Sequence, residues 1–305
     1  MFSFQLPDSF VDSYADRTVP WGYADAAGNS LGEITFLRTY SRQREDGTKE
    51  RWHEVVRRVI EGMFSILKDH HDAQRLPWDQ QWAEVTAKDA FERLFELKWT
   101  PPGRGLWVMG TPLVNELGNS APLQNCAFVS TQDMTAADPA GPFTFLMEAS
   151  MLGVGVGFDT RGAKKGFVIH DPLVHKPTTG LELDADGRAL PPVVESGTPV
   201  YTIPDTREGW VESTAMVINA FLKGSVLPAL DYSHVRPKGE PIKTFGGTAA
   251  GPEPLHRLHT AIRDILSGRG GQLLTTRDIA DIGNLIGVCV VAGNVRRSAE
   301  ILLGD

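Results

Sequence analysis

The sequence predicts an α/β protein with a helical N-terminal region, and three observations carry that expectation. First, Trp52, Val55, Val56, Val59, Ile60, Met63 and Ile66 recur at helical spacing early in the chain. Second, an extended apolar run at Cys126 to Ser130, a helical pattern at Pro142 to Leu152 and a second extended run at Gly153 to Phe158 follow one another closely. Strand, helix and strand at that spacing are the signature of an α/β unit. Third, residues 160–233 break the rhythm, being rich in Pro, Gly, Asp and Lys as far as Thr202.

The elements follow in order. Residues 1–100 read as a mostly helical unit, in which a second amphipathic stretch from Trp82 to Leu97 carries Phe91, Leu94 and Phe95 on its apolar side. The aromatic residues of both stretches read as helical core. The Pro/Gly-rich run from Thr100 to Thr111 breaks the helix and sets a domain boundary, with 101–159 as the first α/β part. Residues 160–233 read as an insertion containing a helix from about Asp205 to Phe221, with Asp205 or Thr206 as its N-cap and Glu208 in its first turn. Residues 234–305 resume the α/β pattern. They include a helix from Pro254 to about Leu266 and an apolar run, Leu285 to Ala292, that reads as a strand holding Cys289 in the core. No internal repeat is visible.

Composition sets the outer bounds. With 305 residues, 41% hydrophobic and 22% charged, the chain can bury one large core or two modest ones. The longest apolar runs fall far short of the roughly 20 residues that span a bilayer, so no membrane partner is expected. The first residues lack a basic n-region and a small-residue cleavage site, so secretion is not expected. Two cysteines cannot make a disulfide framework, and a cytoplasmic location is the default expectation. A formal net charge of −8 argues against direct nucleic-acid binding, which depends on clustered cations. A phosphorylated small molecule is compatible with it, because a few arginines and backbone N–H groups suffice.

Several motifs bear on chemistry. The run Gly153 to Gly157 alternates glycine and valine, but a helical pattern precedes it and an extended one follows, the reverse of a dinucleotide-binding turn. A nicotinamide-dependent dehydrogenase would rest on that run alone. The glycines read instead as positions where backbone approaches a ligand or a neighbouring strand. Phe245 to Pro252, Phe-Gly-Gly-Thr-Ala-Ala-Gly-Pro, is either a plain turn before a helix or a set of N–H groups lining an anionic pocket. Arg296 and Arg297, beside Asn294 and Ser298, are either a solvated pair or a phosphate contact. Cys126 by itself could be a small buried hydrophobe or a reactive thiol. The eight histidines show no metal-like spacing, and no metal site is expected.

Eight motifs taken in order carry a family resemblance: Arg38-Thr-Tyr-Ser-Arg42, Gly103-Arg-Gly-Leu-Trp107, Asn125-Cys126, Gly153-Val-Gly-Val-Gly-Phe158, Pro204-Asp-Thr-Arg-Glu-Gly-Trp210, Val235-Arg-Pro-Lys-Gly239, Phe245 to Pro252, and Ala292-Gly-Asn-Val-Arg-Arg-Ser-Ala-Glu300. Together they resemble the adenosylcobalamin-dependent ribonucleoside triphosphate reductases of the monomeric kind. The resemblance implies a helical N-terminal region followed by the first half of a ten-stranded α/β barrel. It makes 160–233 the insertion domain that stands in for a dimer partner at the effector site. It implies that Cys126 is one of two thiols that reduce the 2′ carbon, that Thr111, Asn125 and Gly155 line the substrate pocket, and that Asp133 contacts the effector. Arg296 and Arg297 would lie in the loop that links effector to substrate.

By the same resemblance the substrate is a ribonucleoside triphosphate, the effector a deoxynucleoside triphosphate, the cofactor adenosylcobalamin and the reductant thioredoxin-like. The family's chemistry needs three thiols, whereas this chain has Cys126 and Cys289. The chain alone is therefore expected to be inactive, and either to work with a separately encoded C-terminal reductase half carrying the radical cysteine or to be a truncated gene product. The alternative is a non-catalytic nucleotide-binding fragment that retains only the effector site.

Overall fold

A computed structural model describes residues 2–44, 46–242, 248–292 and 298–304. The chain divides into two compact units, one of residues 2–124 and one formed by 125–242 with 248–304. Residues 101–124, grouped by sequence with the α/β part, thus cluster with the helical unit.

The first unit is built on two long helices. In chain order it contains α1 (Asp8–Asp12), α2 (Leu31–Thr35), a π-helical turn over Phe36–Tyr40, α3 (Trp52–Ala73), α4 (Gln80–Phe95), α5 (Gly103–Val108) and α6 (Pro112–Asn115). Asp79 caps α4 by accepting from the Trp82 N–H at 2.9 Å. Val55, Val56, Val59 and Ile60 on α3 meet Ala83, Ala87, Phe91 and Leu94 on α4, all of them fully buried. The Trp52 indole N–H donates to the Phe95 carbonyl at 3.0 Å, locking one helix end to the other. The apolar stripe read from sequence is wider than the core. Met63 and Ile66 are exposed because the buried face of α3 passes through Phe64 and Ser65 instead, and Trp82 is exposed because the buried face of α4 begins at Ala83.

Arg58 on α3 joins this helix pair to the chain that follows. Its guanidinium pairs with Glu50, with Nε 2.8 Å from Oε1, and donates to the Leu106 carbonyl at 3.0 Å. There α3 and the chain at Gly110 touch backbone to backbone. Gly110 has φ +75°, and a Cβ on it would overlap the Arg58 carbonyl; a Cβ on Gly62 would lie 2.6 Å from the Gly110 Cα. Asn115 closes the crossing, donating to the Gly62 carbonyl at 3.0 Å and accepting from the Gly110 N–H at 3.0 Å.

In the second unit, β1 (Cys126–Val129), α7 (Gly141–Met151) and β2 (Gly155–Asp159) follow the strand–helix–strand expectation. After them come β3 (Val200–Thr202), α8 (Arg207–Lys223), β4 (Ala229–Asp231), α9 (Glu253–Leu266), α10 (Thr276–Val291) and β5 (Glu300–Leu303). Thr206 caps α8, its hydroxyl accepting from the Gly209 N–H at 3.0 Å. The sheet β1-β2-β5 is parallel throughout, and β3 pairs with β4, also parallel. This is an α/β unit with helices α7 and α10 packed on the sheet.

The run Leu285 to Ala292 is not a strand. It is the second half of α10, which opens with a capping box in which Thr275 and Asp278 bond each other's backbone N–H groups. Ile279, Ile282, Ile286, Cys289 and Val290 then fall on one buried face at helical spacing. A Cβ on Gly283 would strike the Phe158 ring, and one on Gly287 would meet the Glu300 carboxyl 2.5 Å away. These two glycines let α10 lie close on β2 and β5, which offsets their cost of roughly 1 kcal/mol each in a helix.

Behind β4, His259 is fully enclosed. Its Nδ1 is 2.8 Å from the Tyr232 hydroxyl and its Nε2 is 3.1 Å from Thr214 Oγ1. Burial, with His256 and Arg263 nearby, pushes the imidazole down to about 3. The unfolded chain therefore takes up a proton near the ordinary histidine value, while the fold refuses it until far lower pH. The stability this residue contributes is full above that ordinary value and drains away as pH falls towards about 3. We expect the unfolding midpoint to drop as the pH is lowered from roughly 6.5 to 4, and to drop less steeply in His259→Leu; equal slopes would refute this. In the first unit, Gly110→Ala should cost at least about 2 kcal/mol in denaturant unfolding, combining positive-φ strain with overlap on Arg58. A cost near zero would mean that the crossing relaxes freely.

Candidate active site

The strand order and register position Cys126. It pairs with Gly155, Ala127 with Val156, Phe128 with Gly157 and Val129 with Phe158. Side chains alternate along a strand, so Val156 and Phe158 turn towards α7 and α10 and are buried. Cys126 and Phe128 turn the other way and are exposed. On that open face β2 contributes Gly155 and the buried Gly157 ahead of Asp159, and β5 adds Ile301 and Leu303, 60% and 48% exposed. The result is a shallow apolar trough beside a thiol, floored by glycine backbone. Asn125, also exposed, stands at the strand entrance, and its carbonyl accepts from the Gly155 N–H at 2.9 Å. Three residues predicted to line a site, Asn125, Cys126 and Gly155, are thus neighbours.

At the far end of the same strands a buried carboxylate fixes the alignment. Asp159 accepts from the Ser130 hydroxyl at 2.7 Å, the Thr131 N–H at 2.9 Å, the Thr131 hydroxyl at 2.8 Å and the Arg161 N–H at 3.2 Å. Burial alone would raise its pKa, but the hydrogen bonds from Ser130 and Thr131 outweigh it and hold the carboxyl below the usual carboxylate range. Under the sheet the opposite case holds. Burial pushes the Glu300 carboxyl up to about 7, and its Oε1 has no hydrogen-bond partner.

Beyond Asp159 lies a group of cations that sequence reasoning did not single out. Gln132, Arg161, Lys164 and Lys165 line a cleft of about 430 Å³. The turn Thr131–Asp133, which carries the predicted effector residue Asp133, packs against the turn Arg161–Lys165. A second cleft of about 700 Å³ shares Lys165 and is lined by Met134, Phe167, Val168, His170, Leu222 and Lys223. Three cations in five residues directly after a strand was the available signal.

The other predicted residues fall elsewhere. Thr111 belongs to the first unit, just after the Gly110 crossing, and is buried with its hydroxyl donating to the Val108 carbonyl at 2.7 Å. Arg296 and Arg297, and Phe245 to Gly247, lie outside the described residues. Cys289 is buried on α10, in a helix and not in the expected strand. The Gly153 run follows the C-terminus of α7 and opens β2, the reverse of the strand–turn–helix order of a dinucleotide-binding turn. Among the described residues, no three His, Cys, Asp or Glu side chains converge as metal ligands, and no helix is long and apolar enough to cross a membrane.

Residues 6–111 match the model of the ribonucleotide reductase alpha domain, and residues 185–266 match that of the insertion domain of B12-dependent ribonucleotide reductase. An adenosylcobalamin-dependent ribonucleoside-triphosphate reductase of Euglena gracilis is 44% identical over 304 residues, covering 99% of this chain and 38% of the relative. Its namesake from Lactobacillus leichmannii is 35% identical over 334 residues, covering 98% of this chain and 43% of the relative. A crystal structure of a B12-dependent (class II) ribonucleotide reductase superposes with a TM-score of 0.74 at 32% identity, over 99% of this chain and 45% of that one. The chain thus spans about two fifths of the length of the curated relatives it matches.

The two thiols should behave differently. In the native protein iodoacetamide should alkylate Cys126 and spare Cys289 until denaturant is added, as read by peptide mass spectrometry. Equal labelling of both in the folded state would contradict the sheet register.

Proposed function

We infer, from the premise that this chain belongs to the family of adenosylcobalamin-dependent ribonucleotide reductases, that it supplies one reducing thiol and the effector-binding region of a ribonucleoside-triphosphate reductase. The exposed Cys126 thiol on a glycine-floored sheet face is the observation that carries this reading. Gly155 lets a ribose approach the backbone at van der Waals distance, and Asn125 offers a carboxamide to its hydroxyls. In the net reaction the 2′ hydroxyl leaves as water and a hydrogen takes its place. The two electrons come from Cys126 and a second thiol, which end as a disulfide that a thioredoxin-like reductant reopens.

The bound cofactor would supply the initiating radical. The described residues fit the reducing half of the chemistry, and none is assigned a contact with the corrin ring. Cys289 is enclosed in α10 and suits neither remaining thiol role. The chain's two cysteines therefore support a requirement for a C-terminal reductase half, with β1, β2 and β5 as strands of a shared ten-stranded barrel and 160–233, which overlaps the matched range 185–266, as part of its insertion domain. A cytoplasmic setting suits a thiol that must cycle.

The cationic cleft supports the effector role. Arg161, Lys164 and Lys165 suit the phosphates of a deoxynucleoside triphosphate, the apolar neighbouring cleft suits its base, and Asp133 suits a sugar hydroxyl. Thr111 is proposed for the substrate pocket, and Arg296 with Arg297 for the link between effector and substrate. The same cleft favours a second reading, a nucleotide-binding module without catalysis.

The test combines the chain with a polypeptide supplying the rest of the reductase, adenosylcobalamin and a dithiol. We expect deoxynucleotide formation, and its abolition by Cys126→Ser with effector binding unchanged. Full turnover in Cys126→Ser would overturn the catalytic assignment. Nucleotide binding with no turnover in any combination would favour the second reading.

A further inference from the structure

The segment between β1 and α7, residues 130–140, leaves the thiol-bearing strand with little regular structure beyond the turn Thr131–Asp133. Two of its carbonyls are held by ammonium groups from elsewhere in the chain. Lys165 Nζ donates to the Met134 carbonyl at 3.0 Å, and Lys223 Nζ donates to the Ala137 carbonyl at 2.9 Å. Lys165 closes the turn after β2, whereas Lys223 closes α8. The Met134 side chain is itself fully buried, with its sulfur 2.6 Å from where a Cβ on Gly162 would sit. The segment is thus pinned at one residue by packing and at two by cations.

Lys165 differs from Lys223 in also lining the basic cleft with Gln132, Arg161 and Lys164. An ammonium carries three N–H donors, and the Met134 carbonyl engages one of them. We propose that Lys165 is a positioning residue that bridges a polyphosphate anion in this cleft to the Met134 carbonyl, so that anion binding tightens the segment leading out of the Cys126 strand. An anion fixing the ammonium removes side-chain freedom that otherwise weakens the hold on Met134. By linkage, the held segment raises anion affinity in equal measure. The proposal deepens the effector reading above and rests on it only for the anion being a nucleotide.

The experiment uses inorganic tripolyphosphate as probe, with calorimetry for binding and amide hydrogen exchange for the segment. In the unaltered chain, tripolyphosphate should slow exchange across 131–137 about fivefold or more. Lys165→Gln should weaken binding about tenfold, speed basal exchange there and abolish the slowing. Lys165→Arg should restore both, which a merely structural lysine would not require. Lys223→Gln should speed exchange around Ala137 while still binding tripolyphosphate and still showing slowing at 131–134. Tripolyphosphate binding that leaves exchange at 131–137 unchanged, or undiminished binding by Lys165→Gln, would overturn the proposal. Neither readout needs turnover, so failure here is distinguishable from failure of the Cys126 assignment.

Discussion

The four hydrogen bonds that Asp159 accepts from Ser130, Thr131 and Arg161 are the constraint on which the site depends. They tie the exit of β1 to the exit of β2 and so hold a single register between short strands. A slip by one residue would turn every side chain of β1 to the opposite face. Cys126 would then point into the helices and Ala127 would take the open side. The carboxylate is buried and remains charged because its lone pairs are met, the condition under which such a group specifies structure instead of weakening it.

That constraint also joins two chemistries. The residues that bind Asp159 are the first of the segment whose carbonyls Lys165 and Lys223 hold, and the N–H of Arg161 reaches Asp159 from the start of the cationic turn. The thiol face and the basic cleft therefore lie at opposite ends of the same two strands. Gly157, between Phe128 and Ile301, keeps the open face low along the way.

Much of this was legible in the sequence, for identifiable reasons. The strand–helix–strand pattern around Cys126 has clean period changes, and Thr206 with Glu208 marks a helix start. The reversed order around the Gly153 run excluded a dinucleotide turn from residues alone. The error at Leu285 to Ala292 arose because a short apolar run has no decisive period. The deciding signal lay upstream, in Thr275 and Asp278, where a capping box starts a helix long enough to include Cys289. Met63, Ile66 and Trp82 show the other limit, since periodicity fixes a face but not how much of it a partner covers. The cleft at Arg161, Lys164 and Lys165 went unnoticed because three cations in a turn look like ordinary surface until Gln132 is brought beside them.

The sheet order has a temporal consequence. β1 and β2 are close in the chain, but β5, which covers the other edge of β2, is separated from it by about 140 residues. At roughly 5–20 residues per second on a ribosome, the outer edge of β2 waits on the order of ten seconds for its neighbour. During that interval Gly155 to Asp159 present unpaired N–H and C=O groups next to exposed Phe128. The nascent chain thus carries an open sheet edge while α8, α9 and α10 are being made, and shielding of that edge during synthesis guards against pairing with other chains.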